Sequence, residues 1–308
     1  MNRSLCDYGY IFLIFISMNE AISWKSWFII LLLSVIWGSS FILIKKSLVA
    51  YTAMEVGALR LTISSIAFIP IFLYLIKEYD KKKIKYFIIV ALTGSGIPSF
   101  LYAIAQTRVD SSVAGVLNSM TPIFALLISV FIFKDKFKWG QLGGIVLGFA
   151  GASVLVLLRN SGEVNADLNY SLLIVLATVC YGISVNVVNY KLDEYRPLLI
   201  SSLSFAIIAP FAFVFLFTTD FIAHTTEHPY GWNSLLAVTT LSLLSTFFAT
   251  ILFYKLVKNT NAIFGSSVAF LIPLVALGWG FLDGELLGFW HLISLLMILM
   301  GIYWIKKK

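Results

Sequence analysis

Ten runs of apolar residues, each about 18–25 residues long, fill this chain almost from end to end, and as a helix each can cross about 30 Å of hydrocarbon. They fall at 27–44, 52–76, 86–106, 113–133, 140–158, 170–190, 198–219, 235–257, 262–282 and 286–305. In a bilayer every backbone N–H and C=O must be satisfied within the protein, which leaves only helices or closed barrels. Runs this long, without alternation of polar and apolar residues, exclude barrel strands. Only 12% of the 308 residues are charged, about half the share of an average soluble domain. The expected fold is an all-α integral membrane protein with ten transmembrane helices, whose first partner is the lipid bilayer.

The net charge of +7 forms no continuous stripe, so nucleic acid is not an expected partner. The basic residues sit in short clusters between the runs. Arg3, Lys25, Lys77, Lys81, Lys82, Lys83, Lys85, Lys134, Lys136, Lys138, Lys191, Arg196, Lys255, Lys258, Lys306, Lys307 and Lys308 fall on one side. Lys45, Lys46, Arg108 and Arg159 fall on the other, a bias of 17 to 4. Basic loops stay cytoplasmic, which puts both termini inside a plasma membrane. Residues 1–23 read as a short cytoplasmic extension, since Ile11–Ile16 is too short for a signal-peptide core. Met18-Asn19-Glu20, just ahead of Trp24 and Trp27, would make a natural start. Cys6 and Cys180 suggest neither a disulfide nor a metal site. No phosphate-binding glycine loop or Ser/His/Asp arrangement appears, so no cofactor and no catalysis are expected.

A short pattern recurs 144 residues apart: Ser34-Val-Ile-Trp37-Gly38-Ser39-Ser40 and Thr178-Val-Cys-Tyr181-Gly182-Ile183-Ser184. The runs holding Pro122 and Pro273 also correspond, each followed by an acidic link, Lys134-Asp135-Lys136 and Asp283-Gly284-Glu285. Tyr102 and Tyr254 precede these two runs at similar distances. Five runs per half is an odd number, so the second half enters from the opposite side and the halves form an inverted repeat. The halves are expected at 24–158 and 170–305, with a polar link at 159–169 and a basic tail at 306–308.

These features resemble the drug/metabolite transporter superfamily, specifically EamA-type permeases with two five-helix repeats. The resemblance rests on Trp37-Gly38-Ser39-Ser40-Phe41, Ala58-Leu59-Arg60-Leu61, Ser111-Ser112-Val113-Ala114-Gly115 through Thr121-Pro122, and the glycines 143, 144, 148 and 151. It covers about residues 24–305. Lys134-Asp135-Lys136-Phe137 departs from the family's usual Gly-Glu-Arg-Leu, whereas Gly284-Glu285 keeps its first two positions. The resemblance implies export or exchange of small metabolites such as amino acids.

Candidate solute-binding residues follow from polarity in the middle of apolar helices. Trp37 and Tyr181, with Ser40 and Ser184 nearby, give two helices an aromatic-and-hydroxyl face, unless those hydroxyls bond their own backbone. Arg60 costs about 2.5–3.5 kcal/mol near mid-membrane and should face protein or water. It can bind a carboxylate, pair with Glu55 or cap free carbonyls; Arg at this place across family members of varied substrates favours a structural role. Pro122 and Pro273 each remove a helical hydrogen bond, freeing the carbonyls of Asn118 and Ala269. Breaks at matching places point to a site, and Asn118, Thr121, Ser266 and Ser267 surround them; Tyr102 completes the set. Gln106, Asn186 and Asn189 are weaker candidates. Gly144-x-x-x-Gly148 allows close helix approach, within the chain in preference to a homodimer. His224-Thr-Thr-Glu227-His228 formally matches an inverted zinc-protease motif, but lies in a loop without a third ligand. The rivals to a transporter are an intramembrane enzyme, which needs a cluster of ionisable groups, and a scaffold or receptor, which needs a solid centre.

Overall fold

The computed structural model describes residues 24–136, 139–157, 167–259 and 268–306. Residues 1–23, most of the 159–169 link, and the candidates Ser266 and Ser267 lie outside the described residues. Seven helices are long and apolar enough to cross a membrane: α1 (Trp24–Ser47), α2 (Ala53–Glu78), α3 (Lys81–Ala105), α4 (Ser111–Phe133), α6 (Leu168–Lys191), α7 (Pro197–Leu216) and α8 (Gly231–Phe253, helical on to Asn259). Three shorter apolar helices occupy the remaining runs: α5 (Gly140–Leu157), α9 (Val268–Leu282) and α10 (Phe289–Lys306). The helices turn large apolar side chains outward, among them Leu73, Phe131, Phe211, Phe281 and Leu292. An exposed belt of this kind is stable only against lipid or another apolar surface.

Local chemistry sets the helix ends. Thr52 and Glu55 form a reciprocal capping box at the start of α2. Asp167 accepts from the backbone N–H groups of Asn169 and Tyr170 to start α6. α4 and α9 are each followed within two residues by a backbone of positive φ, Lys134 at 60° and Gly284 at 82°. Gly adopts that region freely, while Lys pays about 1–2 kcal/mol for it.

Several spans are not the uniform helices that apolar runs suggest. α4 breaks at Ser119–Met120, where Pro122 opens its second segment, Thr121–Phe133. α3 widens into a π-helical stretch at Leu92–Gly96, and α8 does the same at Leu241–Phe248.

Packing pairs the helices in a pattern that swaps the two halves. α1 lies on α8 and α9; correspondingly α6 lies on α3 and α4. α2 packs on α7, α4 on α9, and α5 on α10, each pair being made of matching helices. The motif glycines sit at two of these crossings. A Cβ on Gly38 would meet Val275 Cβ at 2.5 Å and the Ile272 carbonyl at 2.9 Å; one on Gly182 would meet the Ala125 nitrogen and Phe124 carbonyl carbon at 3.0 Å. Each glycine thus lets its helix touch a partner one turn from that partner's proline. The Gly144/Gly148 seam is used inside the chain, since a Cβ on Gly301 of α10 would lie 2.5 Å from the Gly144 carbonyl.

Candidate functional site

The site begins where α1 meets the π-helical stretch of α8. The Trp37 indole donates to the Ser245 carbonyl at 2.8 Å, and the Ser245 hydroxyl donates back to the Ile36 carbonyl at 3.1 Å. A π-stretch shifts the backbone hydrogen bonds by one residue and often marks a functional place. The Trp37 ring also packs on Phe253, centroids 5.4 Å apart.

One residue beyond Ser245, Thr246 accepts from Arg60 Nε at 3.3 Å. Arg60 comes from α2 and is half-buried, within electrostatic range of Tyr102 and Tyr181. Those two rings stack across α3 and α6, centroids 6.1 Å apart and planes 25° from parallel. Phe41 of α1 lies against the other side of Tyr102 at 5.8 Å. The Tyr102 hydroxyl donates to Asn118 Oδ1 at 2.6 Å, at the break in α4. Tyr102 is fully buried, whereas Trp37, Arg60, Asn118, Thr121 and Tyr181 each keep part of their surface uncovered.

The structure therefore brings Arg60, Tyr102, Asn118, Thr121 and Tyr181 together, with Trp37 joined through Ser245 and Thr246. Other expectations change. The carbonyl of Asn118 is not free, because the Thr121 hydroxyl donates to it at 2.8 Å. Ser34, Ser40 and Thr178 bond carbonyls of their own helices, and Ser184 is buried against Gly94 of α3. Gly38 and Gly182 hold close crossings and leave no open space beside the aromatics. Gln106 donates to the Phe41 carbonyl at 2.9 Å, and Asn186 to the Ala125 carbonyl at 2.8 Å, so both tie helices together. Arg60 does not pair with Glu55. That carboxylate accepts from Thr52 N and Oγ1 and meets His224 Nδ1 at 3.0 Å. His228 instead accepts from the Tyr230 N–H, and no metal-binding group of side chains occurs among the described residues. The π-stretches and the polar pair Ser245 and Thr246 were not singled out from sequence. Small polar residues in the third and eighth runs were the available signal.

Charged contacts join the end of α1, the start of α4 and the link between α9 and α10. Glu285 accepts from the backbone N–H groups of Ser111 and Ser112, at 2.9 and 3.0 Å, and from Lys45 at 2.8 Å. Lys45 also meets Asp283 at 2.9 Å, and Lys46 pairs with Asp283. Burial alone would raise both carboxyls, but hydrogen bonds from Lys45 and Ser112 on Glu285, and from Lys46 and Lys45 on Asp283, hold them below their ordinary values. At the far end of α4, Asp135 accepts from Ser129 and Tyr190, with no lysine partner among the described residues. Those hydrogen bonds, Ser129 first, hold its carboxyl below the usual range.

Residues 11–157 and 168–306 each match the EamA-like transporter family. Among curated relatives, an uncharacterised transporter of Archaeoglobus fulgidus is 24% identical over 92% of this chain and 99% of its own. A probable amino-acid metabolite efflux pump of Salmonella typhimurium is 26% identical, covering 91% and 94%. An S-adenosylmethionine/S-adenosylhomocysteine transporter of Chlamydia trachomatis is 25% identical, covering 83% and 80%. One crystal structure shares the fold with a TM-score of 0.58 and 17% identity, over 92% of this chain and 96% of that one.

Proposed function

The chain belongs to the EamA-like transporter family, and from that premise we propose that it moves a small metabolite, an amino acid or a related amphipathic solute, across the plasma membrane by efflux or exchange. In this reading the chain crosses ten times, as inverted halves 24–158 and 170–305 joined by 159–169, with both termini cytoplasmic. The halves rock about the centre formed by Arg60, Tyr102, Asn118 and Tyr181, opening it to each side in turn. Relatives named for amino-acid metabolite efflux and for S-adenosylmethionine transport support the solute class.

The observation that carries the reading is the centre itself. Polar and aromatic side chains from α2, α3, α4 and α6 converge inside the bundle, and four of the five keep part of their surface uncovered. A scaffold or receptor with a solid core would cover them. In this reading the ion pairs of Lys45 with Asp283 and Glu285, and of Lys46 with Asp283, hold one end together and must part for the alternate state to form.

Counterflow in proteoliposomes tests this. Wild-type protein loaded with an unlabelled amino-acid mixture should accumulate at least one labelled amino acid from a panel. Tyr181→Ala and Asn118→Ala should each lower that uptake at least about tenfold, the factor that follows from losing about 1.4 kcal/mol of solute contact, with melting changed by only a few degrees. Absence of counterflow across the panel, together with Thr121→Cys inert to small thiol reagents from both sides, would remove the transporter reading.

A further inference from the structure

Among the described residues the charge of Arg60 has no counterion. Of the 15 acidic residues in the sequence, Glu55 is the only one within a membrane-spanning run, and the others lie in links, loops or the N-terminal extension. Glu55 is committed elsewhere: it caps α2 through Thr52 and meets His224, and is itself fully buried. Among the described residues Arg60 makes no ion pair and no cation–π contact, and its single hydrogen bond is the 3.3 Å contact from Nε to Thr246. The undescribed residues 260–267, Thr-Asn-Ala-Ile-Phe-Gly-Ser-Ser, contain no acid either.

An arginine that serves only to hold a bundle together pairs with an acid or caps carbonyls. This one does neither. Its contact to Thr246 is made through Nε, which leaves the terminal N–H donors without a hydrogen-bond partner among the described residues, and part of its surface stays uncovered. A guanidinium offers two parallel donors to a carboxylate, which suits it to that group.

Resting on the transporter reading above, we propose that Arg60 is the anion-binding residue of the centre, so that the solute enters with a carboxylate on Arg60 and its apolar body against Tyr181. Charge balance narrows the class further. One cation in a low-dielectric site neutralises one negative charge, so a monoanionic carboxylate fits and a dianionic phosphate ester leaves an excess charge buried. A head that is cationic and carries no carboxylate meets like charge at Arg60, with no acid among the described residues beside it. Tyr102 is tied to Asn118, which leaves the Tyr181 hydroxyl as a second donor to the same head group.

Four probes sharing one apolar body separate the possibilities: 3-phenylpropionate, 3-phenyl-1-propanol, 3-phenylpropylamine and phenyl phosphate. Binding is read from the shift in thermal unfolding of the full-length protein in detergent at pH 7, across a concentration series. The expected result is saturable stabilisation by the carboxylate alone, with affinity falling at least about tenfold in Arg60→Gln and partly retained in Arg60→Lys, which keeps the charge but loses the fork. Equal stabilisation by the alcohol or the amine overturns the proposal, as does preference for the phosphate or full carboxylate affinity in Arg60→Gln. Should Arg60→Gln fail to fold, the wild-type ranking of the four heads and the Arg60→Lys affinity still decide. A null with every probe also overturns the anion site, while counterflow with the amino-acid panel judges the transporter reading independently.

Discussion

Glu285 shows how much one side chain can carry. Its two oxygens satisfy two backbone donors at the start of α4 and accept from Lys45 at the end of α1. A carboxylate at a helix start is favoured by the helix dipole as well as by these bonds. Gly280 is part of the same arrangement, since a Cβ there would meet Glu285 Oε2 at 2.4 Å. The Glu285 carboxyl is held below its ordinary value of 4.5 in the folded protein, so its contribution is fully present above that pH and is lost as pH falls through the lower folded value. Melting of the wild type should stay level from neutrality to about pH 5 and decline below about 4.5. Glu285→Gln should melt lower at pH 7, by about 2 kcal/mol of stability, and respond less to acid. An unchanged acid limb in the variant would show that other carboxylates govern it. The two motif aromatics differ at this scale too. Trp37 is anchored by a hydrogen bond and a ring contact across to α8, whereas Tyr181 is held by stacking on Tyr102.

Among the elements, α5 and α10 form a pair held by backbone-to-backbone approach. A Cβ on Gly301 would lie 2.5 Å from the Gly144 carbonyl and 2.9 Å from the Gly148 nitrogen, neither of which can rotate away. Gly301→Ala should therefore cost about 1–3 kcal/mol, the range for overpacking a tight contact, read as lower melting in detergent. Gly278→Ala, inside α9, is the control, because a Cβ there meets nothing within 4 Å; an equal loss in both variants would mean helix backbone effects and not the seam. The π-stretches of α3 and α8 and the break in α4 also belong to this scale. They put Thr246 against Arg60, and Asn118 against Tyr102, which uniform helices of the same runs need not do.

For the whole molecule, the helix pairs exchange under a swap of the two halves, and in the proposed reading, with five spans per half, that swap is an inversion in the membrane. A membrane-impermeant amine reagent on intact cells should leave a C-terminal tag unlabelled, and a cysteine placed at Thr226 or Tyr230 should react with an impermeant maleimide. Labelling of the tag from outside would refute the inverted ten-span arrangement. The apolar runs, the duplicated motif and the paired prolines were legible in the chain because membrane burial and helix chemistry are local rules, readable from length and spacing. They carried the all-helical membrane class and the two-repeat family. Five of the candidate residues, Arg60, Tyr102, Asn118, Thr121 and Tyr181, were legible as polar side chains inside apolar runs. What only the tertiary structure decided was the partnering. It spent Glu55 on His224, Ser40 on its own helix, Gln106 and Asn186 on neighbouring backbones, and left Arg60 without an acid among the described residues. Hydrogen bonds between distant segments depend on helix rotation and on shifts such as the π-stretches, and a displacement of one residue turns a side chain by about 100°, from a neighbouring helix to the centre of the bundle.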